Sequence, residues 1–372
     1  MKNPKILMIA GEASGDNLGA EVVSSLYQLS PDIQISAIGG KAIQAAGAEI
    51  LMDSKELAVM GIWEVLTHAR IIRKAYNRVK QYLTEEKPDV VILVDYPGFN
   101  LRIAKLAKSL DCKVLYYVSP KIWASRYGRI HMIRQSVDHM VVFFKFEEEL
   151  YQKEGVPVSL VAHPLEILTQ KPVDTDAILK ELGLDPSAPI IALLPGSRKS
   201  EIKNHLPILI ESQKFIQQSI QNAQFVIPLA STIDQSQIQP QLGPNIKLTT
   251  HKAYEIFKLS QAAVIASGTA TLEAALSKVP MVIIYKILGF HIVKHFVKIP
   301  YAGLCNIAAK KFIAPEFLQE NAKPQVIADE IIKLVRDLEY RKKILKEYDL
   351  VPLALGQEEP GPKVAKLVLG MV

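Results

Sequence analysis

The sequence has few cysteines, no long apolar segment, and no low-complexity tract or internal repeat. Its only cysteines among 372 residues are Cys112 and Cys305, and neither stands in a C-x-x-C or Cys/His spacing. This scarcity indicates neither a disulfide framework nor a zinc site, so we expect both to be small buried hydrophobic residues. No segment reaches the roughly 20 apolar residues of a membrane-spanning helix, and the first apolar run is shorter than a signal-peptide core. We therefore expect a cytoplasmic protein.

The charge balance is weakly basic. Lys and Arg number 44 against 38 Asp and Glu, which gives a net charge of +6. A basic protein favours anionic partners such as nucleic acid, acidic lipid headgroups or phosphorylated metabolites. The basic residues are scattered and form no arginine-rich run interleaved with aromatic residues, so we expect no nucleic-acid partner.

Short apolar runs alternate with helical patterns, which is typical of parallel sheets covered by helices on both faces. The predicted strands form two groups: 5–10, 33–38, 90–94, 114–118 and 139–143, then 190–194, 225–229, 246–248, 263–266 and 281–284. The length exceeds that of one core, so we predict an α/β fold with two doubly wound, Rossmann-like domains and a linker near 164–175. Such sheets bind ligands outside the carboxyl ends of their strands, so we expect the domains to face each other across a cleft.

The glycine-rich segment GEASGD (11–16) follows the first predicted strand and precedes a helical pattern. Its glycines permit a tight turn, Ser14 and Asp16 can cap the helix, and the free N–H groups of the first turn attract an anion or a sugar hydroxyl. The spacing is not G-x-G-x-x-G, and Glu12 places a carboxylate where a dinucleotide would bring its pyrophosphate. The loop therefore favours an acceptor hydroxyl over a cofactor phosphate.

Four further segments also follow apolar runs: VDYPGFN (94–100), YVSPKIWA (117–124), LPGSR (194–198) and SGTATLE (267–273). In this order, the five segments resemble the lipid-A-disaccharide synthases, nucleotide-sugar glycosyltransferases with two Rossmann-like domains of the glycosyltransferase B type. The resemblance extends from the first strand to Gln319. Two departures are Cys305, where the family usually has proline, and Gly98, where it usually has a second acidic residue.

The resemblance implies the domain roles and the reaction. Residues 1–168 would bind the acceptor, 169–350 the UDP-sugar, and the tail 351–372 would cross back to the first domain. The implied reaction joins UDP-2,3-diacylglucosamine to 2,3-diacylglucosamine 1-phosphate, with inversion and without a metal or cofactor. It would take place at the cytoplasmic face of the inner membrane. The resemblance leaves open whether the protein forms a homodimer.

Three residues are the predicted catalytic groups. Asp95 ends a buried strand and is the predicted general base toward the acceptor hydroxyl, with a helix N-cap as the alternative role. Glu12 is the rival base, with an alternative role in orienting its loop or binding the acceptor sugar. Arg198 begins a helix, where guanidinium and free backbone N–H groups can grip a diphosphate in place of a metal.

The segment SGTATLE is predicted to cradle the pyrophosphate at a helix N-terminus, with a capping box as the alternative. By resemblance, Glu273 would bind the ribose, and three residues near 305–320 would lie by the nucleotide. The predicted UDP-binding residues are Gly196, Ser197, Arg198, Ser267, Gly268, Thr269, Ala270, Thr271, Glu273, Asn306, Glu316 and Gln319. The predicted acceptor-binding residues are Ser14, Gly15, Asp16, Asn100, Ser119, Trp123 and Arg126.

Other features have simpler interpretations. Asp174 and Asp176 match the D-x-D metal motif of another glycosyltransferase class, but they precede a helix and favour helix capping. Basic amphipathic stretches at 62–82 and 287–300 are candidates for contact with anionic lipid, against the alternative of a core-facing helix with a solvated basic face. The alternative functions are another UDP-sugar enzyme, such as an epimerase or a muramyl-lipid transferase, and a non-enzymatic peripheral membrane protein.

Overall fold

The computed structural model describes residues 3–57, 65–230, 233–287 and 299–372. The chain divides into two compact units. The first contains Met1–His163 and Leu355–Val372, and the second contains Pro164–Ala354.

The first unit is built on a seven-stranded parallel sheet. Its strands are β1 (Lys5–Ala10), β2 (Gln34–Gly39), β3 (Glu49–Asp53), β4 (Val90–Val94), β5 (Lys113–Tyr117), β6 (His139–Val142) and β7 (Val158–Leu160). They lie in the order β3-β2-β1-β4-β5-β6-β7. The order reverses direction between β1 and β4, and the chain segments that follow these two strands therefore flank the topological switch point where such sheets bind ligands.

Helices cover both faces of this sheet, because its central strands are aliphatic and buried on both sides. They are α1 (Ala13–Leu29), α2 (Lys41–Ala45), α3 (Val65–Glu86), α4 (Pro97–Ser109), α5 (Ile130–Ser136), α6 (Lys145–Lys153) and, from the end of the chain, Pro360–Leu369.

The second unit repeats the plan with six parallel strands. These are β8 (Ile190–Leu194), β9 (Gln224–Pro228), β10 (Ile246–Thr249), β11 (Ala262–Ala266), β12 (Met281–Tyr285) and β13 (Glu316–Leu318). Their order is β10-β9-β8-β11-β12-β13, so the switch point lies between β8 and β11.

The helices of the second unit start with α7 (Pro164–Thr169). They continue with α8 (Thr175–Leu182), α9 (Lys199–Ser219), α10 (Gln235–Ile238), α11 (Ala253–Phe257), α12 (Thr269–Leu276), α13 (Leu304–Ala308), α14 (Pro324–Arg336), α15 (Leu338–Glu347) and α16 (Leu350–Leu353); the helix Pro360–Leu369 of the first unit is α17.

The end of the chain is held in the first unit by close backbone approaches. A Cβ on Gly361 would lie 2.8 Å from the hydroxyl of Ser25 on α1, and one on Gly356 would collide with the backbone of Val161. The N–H of Ala162 also donates to the carbonyl of Glu358 at 2.8 Å. Small residues therefore let α17 pack directly on α1.

The predicted α/β class with two doubly wound parallel sheets is confirmed. Two strands were missed, β3 and β13, and each lies at the edge of its sheet. The prediction of a linker near 164–175 is wrong for its first half, because 164–169 form α7, which packs on α12 in the second unit. Cys112 and Cys305 are buried free thiols, as expected. Within the described part of the chain, no helix has the length and apolarity needed to traverse a bilayer.

Candidate functional site

Two consecutive left-handed residues follow β4 in the first unit. Asp95 has φ 48° and Tyr96 has φ 47°, a conformation that costs energy in residues other than glycine. The surrounding structure holds this turn in place. The carbonyl of Asp95 accepts hydrogen bonds from Nδ2 of Asn100 at 2.8 Å and from the hydroxyl of Tyr116 at 2.6 Å, and its N–H donates to the carbonyl of Tyr117 at 2.9 Å.

The carboxyl group of Asp95 is half-buried at the switch point. Burial raises its pKa, and the negative charge of Glu12 raises the pKa further, while a hydrogen bond from the backbone of Tyr96 and the charge of Lys121 lower it. The N-cap of α4 is Tyr96, without a side-chain capping bond. The alternative role of Asp95 as an N-cap is therefore wrong.

The loop after β1 differs from expectation in its capping. Glu12 is the exposed N-cap residue of α1 and makes no side-chain capping bond, so Ser14 and Asp16 do not cap this helix. Asp16 is buried and accepts hydrogen bonds from the backbone N–H groups of Gly40 and Ala42, at 2.6 and 2.9 Å, and a longer one from Ile43. Its carboxylate therefore caps α2 and is committed to the fold.

The structure also places the other residues of the first loop. Gly15 is buried, and a Cβ there would lie 3.4 Å from the side chain of Val94. Ser14 is exposed. Gly11 allows the ring of Tyr96 to pack against the loop, because a Cβ on Gly11 would lie 2.6 Å from Cδ1 of that ring. The loops after β1 and β4 are thus in direct contact.

Two of the predicted acceptor-binding residues face inward. Asn100 has no exposed surface, and Ser119 donates to the carbonyl of Pro120 at 3.0 Å and shares a 2.9 Å hydrogen bond with the hydroxyl of Tyr151. Both side chains are therefore buried and hold their loops through these partners, and acceptor binding by either residue stays a prediction. Arg126 is exposed, and its acceptor-binding role stays a prediction.

Sequence reasoning missed Glu147, which lies in the first turn of α6, after β6. Its carboxyl is buried and accepts a 3.0 Å hydrogen bond from Nε1 of Trp123. Burial raises the pKa of Glu147 to about 7, although hydrogen bonds from Trp123 and the backbone of Phe144 lower it. An acidic residue in the first turn of a helix is ordinarily a solvated one that favours the helix dipole, so the sequence carries no signal for this burial.

The loop after β8 in the second unit is organised by Glu201, which was also missed. Its Oε2 accepts from the N–H groups of Ser197 and Arg198, at 2.9 and 3.2 Å, and its Oε1 accepts from Nη1 of Arg198 at 2.9 Å. Gly196 adopts φ 115°, and a Cβ there would lie 2.5 Å from Oε2 of Glu201. The expectation that these two N–H groups are free is therefore wrong. A glutamate three residues after the N-cap is the sequence signal that identifies such a pairing.

The loop after β11 begins α12 without a capping box. Its N-cap is Gly268, which has no side-chain capping bond, so that alternative is wrong. Ser267 donates to the carbonyl of Ala302 at 2.6 Å, and the buried hydroxyl of Thr271 accepts from the N–H of Leu304 at 3.0 Å. These two hydroxyls fix the loop to the segment before α13, while Thr269 is exposed in the first turn.

Glu273 lies one turn into α12, after the half-buried Ala270. Burial raises the pKa of Glu273 to about 7, and a hydrogen bond from the backbone of Tyr254 lowers it. Glu273 therefore takes up a proton more readily than an exposed glutamate does.

Asn306 and Glu316 form a buried polar network. Oδ1 of Asn306 accepts from the N–H groups of Ile313 and Ala314, at 2.8 and 2.9 Å. Its Nδ2 donates to Oε1 of Glu316 at 2.7 Å. Glu316 also accepts from the N–H groups of Ala302 and Gly303. These two predicted UDP-binding residues therefore support the segment before α13, to which Ser267 is hydrogen-bonded. The buried Gln319 differs, because its Nε2 has no hydrogen-bond partner within the described residues.

Asp174 and the first basic stretch both have structural roles. Asp174 accepts from the N–H of Ala177 at 3.0 Å and caps α8, which confirms the capping interpretation. Ala75 and Val79 of α3 pack in the core, while Arg73 and Arg78 are exposed, as the core-facing alternative for this stretch predicts. Residues 58–64 and 288–298, which include most of the second basic stretch, lie outside the described residues.

Comparison with known proteins decides the family. The family described as lipid-A-disaccharide synthetase matches residues 6–359. A protein of Coxiella burnetii (strain Dugway 5J108-111) named lipid-A-disaccharide synthase is 44% identical over 374 residues, covering 100% of both chains. The chain belongs to the lipid-A-disaccharide synthase family. It is a glycosyltransferase of lipid A biosynthesis.

Solved structures show the same fold at low sequence identity. The calicheamicin glycosyltransferase CalG4 superposes with a TM-score of 0.62 at 15% identity, over 100% of this chain and 99% of its own. Anabaena HepE in complex with UDP-glucose gives 0.59 at 10% identity, over 99% and 100%. These likenesses confirm the fold that the lipid-A-disaccharide synthase family was expected to have.

Proposed function

We propose that this enzyme transfers a 2,3-diacylglucosamine unit from UDP to 2,3-diacylglucosamine 1-phosphate, forming the lipid A disaccharide 1-phosphate and UDP. The observation that carries the proposal is the 44% identity over the full length of a relative named lipid-A-disaccharide synthase. The reaction is an inverting one that needs no metal.

The acceptor is activated in the first unit. Asp95 accepts the proton of the acceptor's primary hydroxyl as the oxygen attacks the anomeric carbon of the donor, and the bond from that carbon to the UDP oxygen breaks on the opposite side. Its raised pKa supports this role, because a general base works best when its pKa approaches the working pH. The left-handed backbone of Asp95 and Tyr96 supports it as well, since strained residues persist where neighbouring groups hold them for function.

The donor is bound in the second unit. Arg198 and the first turn of α12 stabilise the charge that develops on UDP, as oriented cations and backbone N–H groups do for leaving phosphates. The geometry of Arg198 supports this role, because Glu201 holds the guanidinium by Nη1 while the Arg198 side chain stays 74% exposed. The UDP-glucose complex of the Anabaena neighbour supports a UDP-sugar as donor. Glu273 is the proposed partner of the ribose hydroxyls.

The proposed acceptor carries two acyl chains, which do not leave a bilayer cheaply at about 0.8 kcal/mol per buried CH₂. The enzyme therefore works as a peripheral protein on the anionic cytoplasmic face of the inner membrane. Of the two basic stretches, 287–300 is the proposed contact with lipid headgroups, since α3 within 62–82 packs against the core.

The test is a reconstituted reaction with both lipid substrates in mixed micelles. We expect stoichiometric UDP and a β-linked disaccharide 1-phosphate, measured by mass spectrometry and anomeric NMR coupling, and no product when either substrate is omitted. A UDP-sugar converted without the acceptor would indicate an epimerase, and turnover only with a muramyl-lipid acceptor would indicate the other transferase. Binding to vesicles without any UDP release would indicate a non-enzymatic membrane protein.

A further inference from the structure

A buried histidine joins two loops at the carboxyl ends of strands in the second unit. His205 on α9 has no exposed surface; its Nδ1 lies 2.9 Å from the carbonyl of Pro195, and its Nε2 lies 2.9 Å from the N–H of Lys286. A carbonyl only accepts and an amide N–H only donates, so the ring is neutral with its hydrogen on Nδ1. Burial lowers the pKa of His205, which favours the same neutral form.

The two groups that this ring connects are close in chain position to the proposed donor site. Pro195 directly precedes Gly196 in the Arg198 loop, and Lys286 directly follows β12. Because β11 lies between β8 and β12 in the sheet, the ring spans the strand end from which the loop of Ser267 starts. His205 therefore ties the loop after β8 to the segment after β12.

The segment after β12 has further anchors. Nδ2 of Asn204 donates to the carbonyl of Lys286 at 3.2 Å, so two consecutive residues of α9 hold both backbone groups of Lys286. The next N–H, of Ile287, donates to Oε1 of Gln319. The side chain of Lys286 is exposed, although its backbone is held on both sides.

The rings and charges around His205 belong to the same strand ends. The ring of Tyr285 packs 5.6 Å from that of His205. Burial raises the pKa of Tyr285, the charge of Glu201 raises it further, and the charge of Arg198 lowers it. The charged pair of the Arg198 loop therefore lies close to the residue that precedes Lys286.

We propose that His205 is a positioning residue for the donor diphosphate, and that Lys286 is a second cation that binds it beside Arg198. The proposal rests on the proposed function, because it takes a UDP-sugar as the ligand. The imidazole touches no substrate; it holds the Arg198 loop and Lys286 in one register, so that both cations meet the same anion.

Two conservative variants separate the two hydrogen bonds of the ring. His205→Asn keeps a donor near Nδ1 for Pro195 and loses the acceptor for the N–H of Lys286, whereas His205→Gln keeps an acceptor near Nε2 and loses the donor. We expect each to weaken UDP binding and raise the donor KM about tenfold, the effect of one lost hydrogen bond, with the acceptor KM unchanged. Lys286→Met should weaken UDP binding without lowering the thermal midpoint of the unliganded enzyme. His251→Asn, a histidine of the same unit paired with Glu181, is the matched control and should behave like the wild type.

Calorimetric UDP affinity, steady-state kinetics and thermal midpoints are measured for all five proteins. Wild-type UDP affinity and donor KM in both His205 variants would overturn the positioning role. So would equal rises in donor and acceptor KM with a lowered thermal midpoint, because a general structural defect has no preference for the donor. Unchanged UDP affinity in Lys286→Met would refute the role of Lys286 as the second cation. Failure of the wild type itself to bind UDP would refute the proposed function, and the donor role of His205 with it.

Discussion

Replacing Asp95 by Asn removes the proposed base while leaving the backbone around it intact. Asn tolerates the left-handed conformation about as well as Asp does, whereas Ala would add backbone strain to the chemical effect. The hydrogen bonds from Asn100 and Tyr116 go to the backbone carbonyl of Asp95, so the substitution keeps both. The variant therefore tests the carboxylate alone.

The structure sets opposite expectations for activity and stability. Loss of a general base costs about 10²–10⁴-fold in turnover. Burial and the charge of Glu12 raise the pKa of Asp95, so folding favours its protonated form, and the ionised form destabilises the folded protein as the pH rises above the carboxyl's unfolded value. A neutral amide removes this cost. We expect the thermal midpoint at pH 7 to be equal to or higher than that of the wild type.

The assay combines initial rates of UDP release with calorimetric UDP affinity and a thermal midpoint at pH 7. UDP affinity should be unchanged, because the proposed nucleotide residues are in the other unit. Turnover within about threefold of the wild type would exclude Asp95 as the base, since general-base contributions are far larger. Lost turnover together with a lowered thermal midpoint would attribute the effect to misfolding and refute the reasoning from the pKa.

Three further changes test other parts of the two sites. Glu12→Gln removes the charge that raises the pKa of Asp95, so the acid limb of the pH–rate profile should move to lower pH. An unmoved limb would show that Glu12 does not influence the titration of Asp95, and abolished turnover would identify Glu12 as the base. Arg198→Lys should raise the UDP dissociation constant about tenfold or more, because a point charge does not reproduce a planar two-bond contact with a diphosphate. The activity of the wild type should resist EDTA; an activity that EDTA abolishes and magnesium restores would contradict the metal-free mechanism. Gly196→Ala places a methyl group 2.5 Å from a carboxylate oxygen at φ 115°, which should cost about 1–3 kcal/mol and lower the thermal midpoint, whereas Gly243→Ala, with open space around it, should not.

The sequence alone determined the central strands and the loops that follow them. The predicted bounds of β1, β4 and β8 agree with the structure residue for residue, because each is an apolar run buried on both faces and bounded by a turn. The edge strands β3 and β13 escaped prediction, whereas the edge strand β10 was predicted. β3 and β13 are only half-buried, so their sequences lack the continuous apolar run that identifies a central strand.

The direction of each polar side chain at those loops was decided only by the tertiary structure. Asn100 lies in the first turn of α4, Ser119 in the loop after β5 and Asn306 in α13, yet all three are buried. A strand end supplies unpaired backbone groups as well as a ligand site, and both attract the same amides and hydroxyls. The local sequence does not distinguish these two demands.

Long-range partners were likewise beyond the sequence pattern. Glu201 is signalled by its spacing from the N-cap, but His205 is not, because its two partners lie 10 and 81 residues away along the chain. Asp16 caps a helix that begins at Lys41, and Glu147 accepts a hydrogen bond from the indole of Trp123 in the segment after β5. Periodicity and turn chemistry act over a few residues and therefore fix strands and loops, whereas a hydrogen bond between distant segments exists only after the sheet has brought them together.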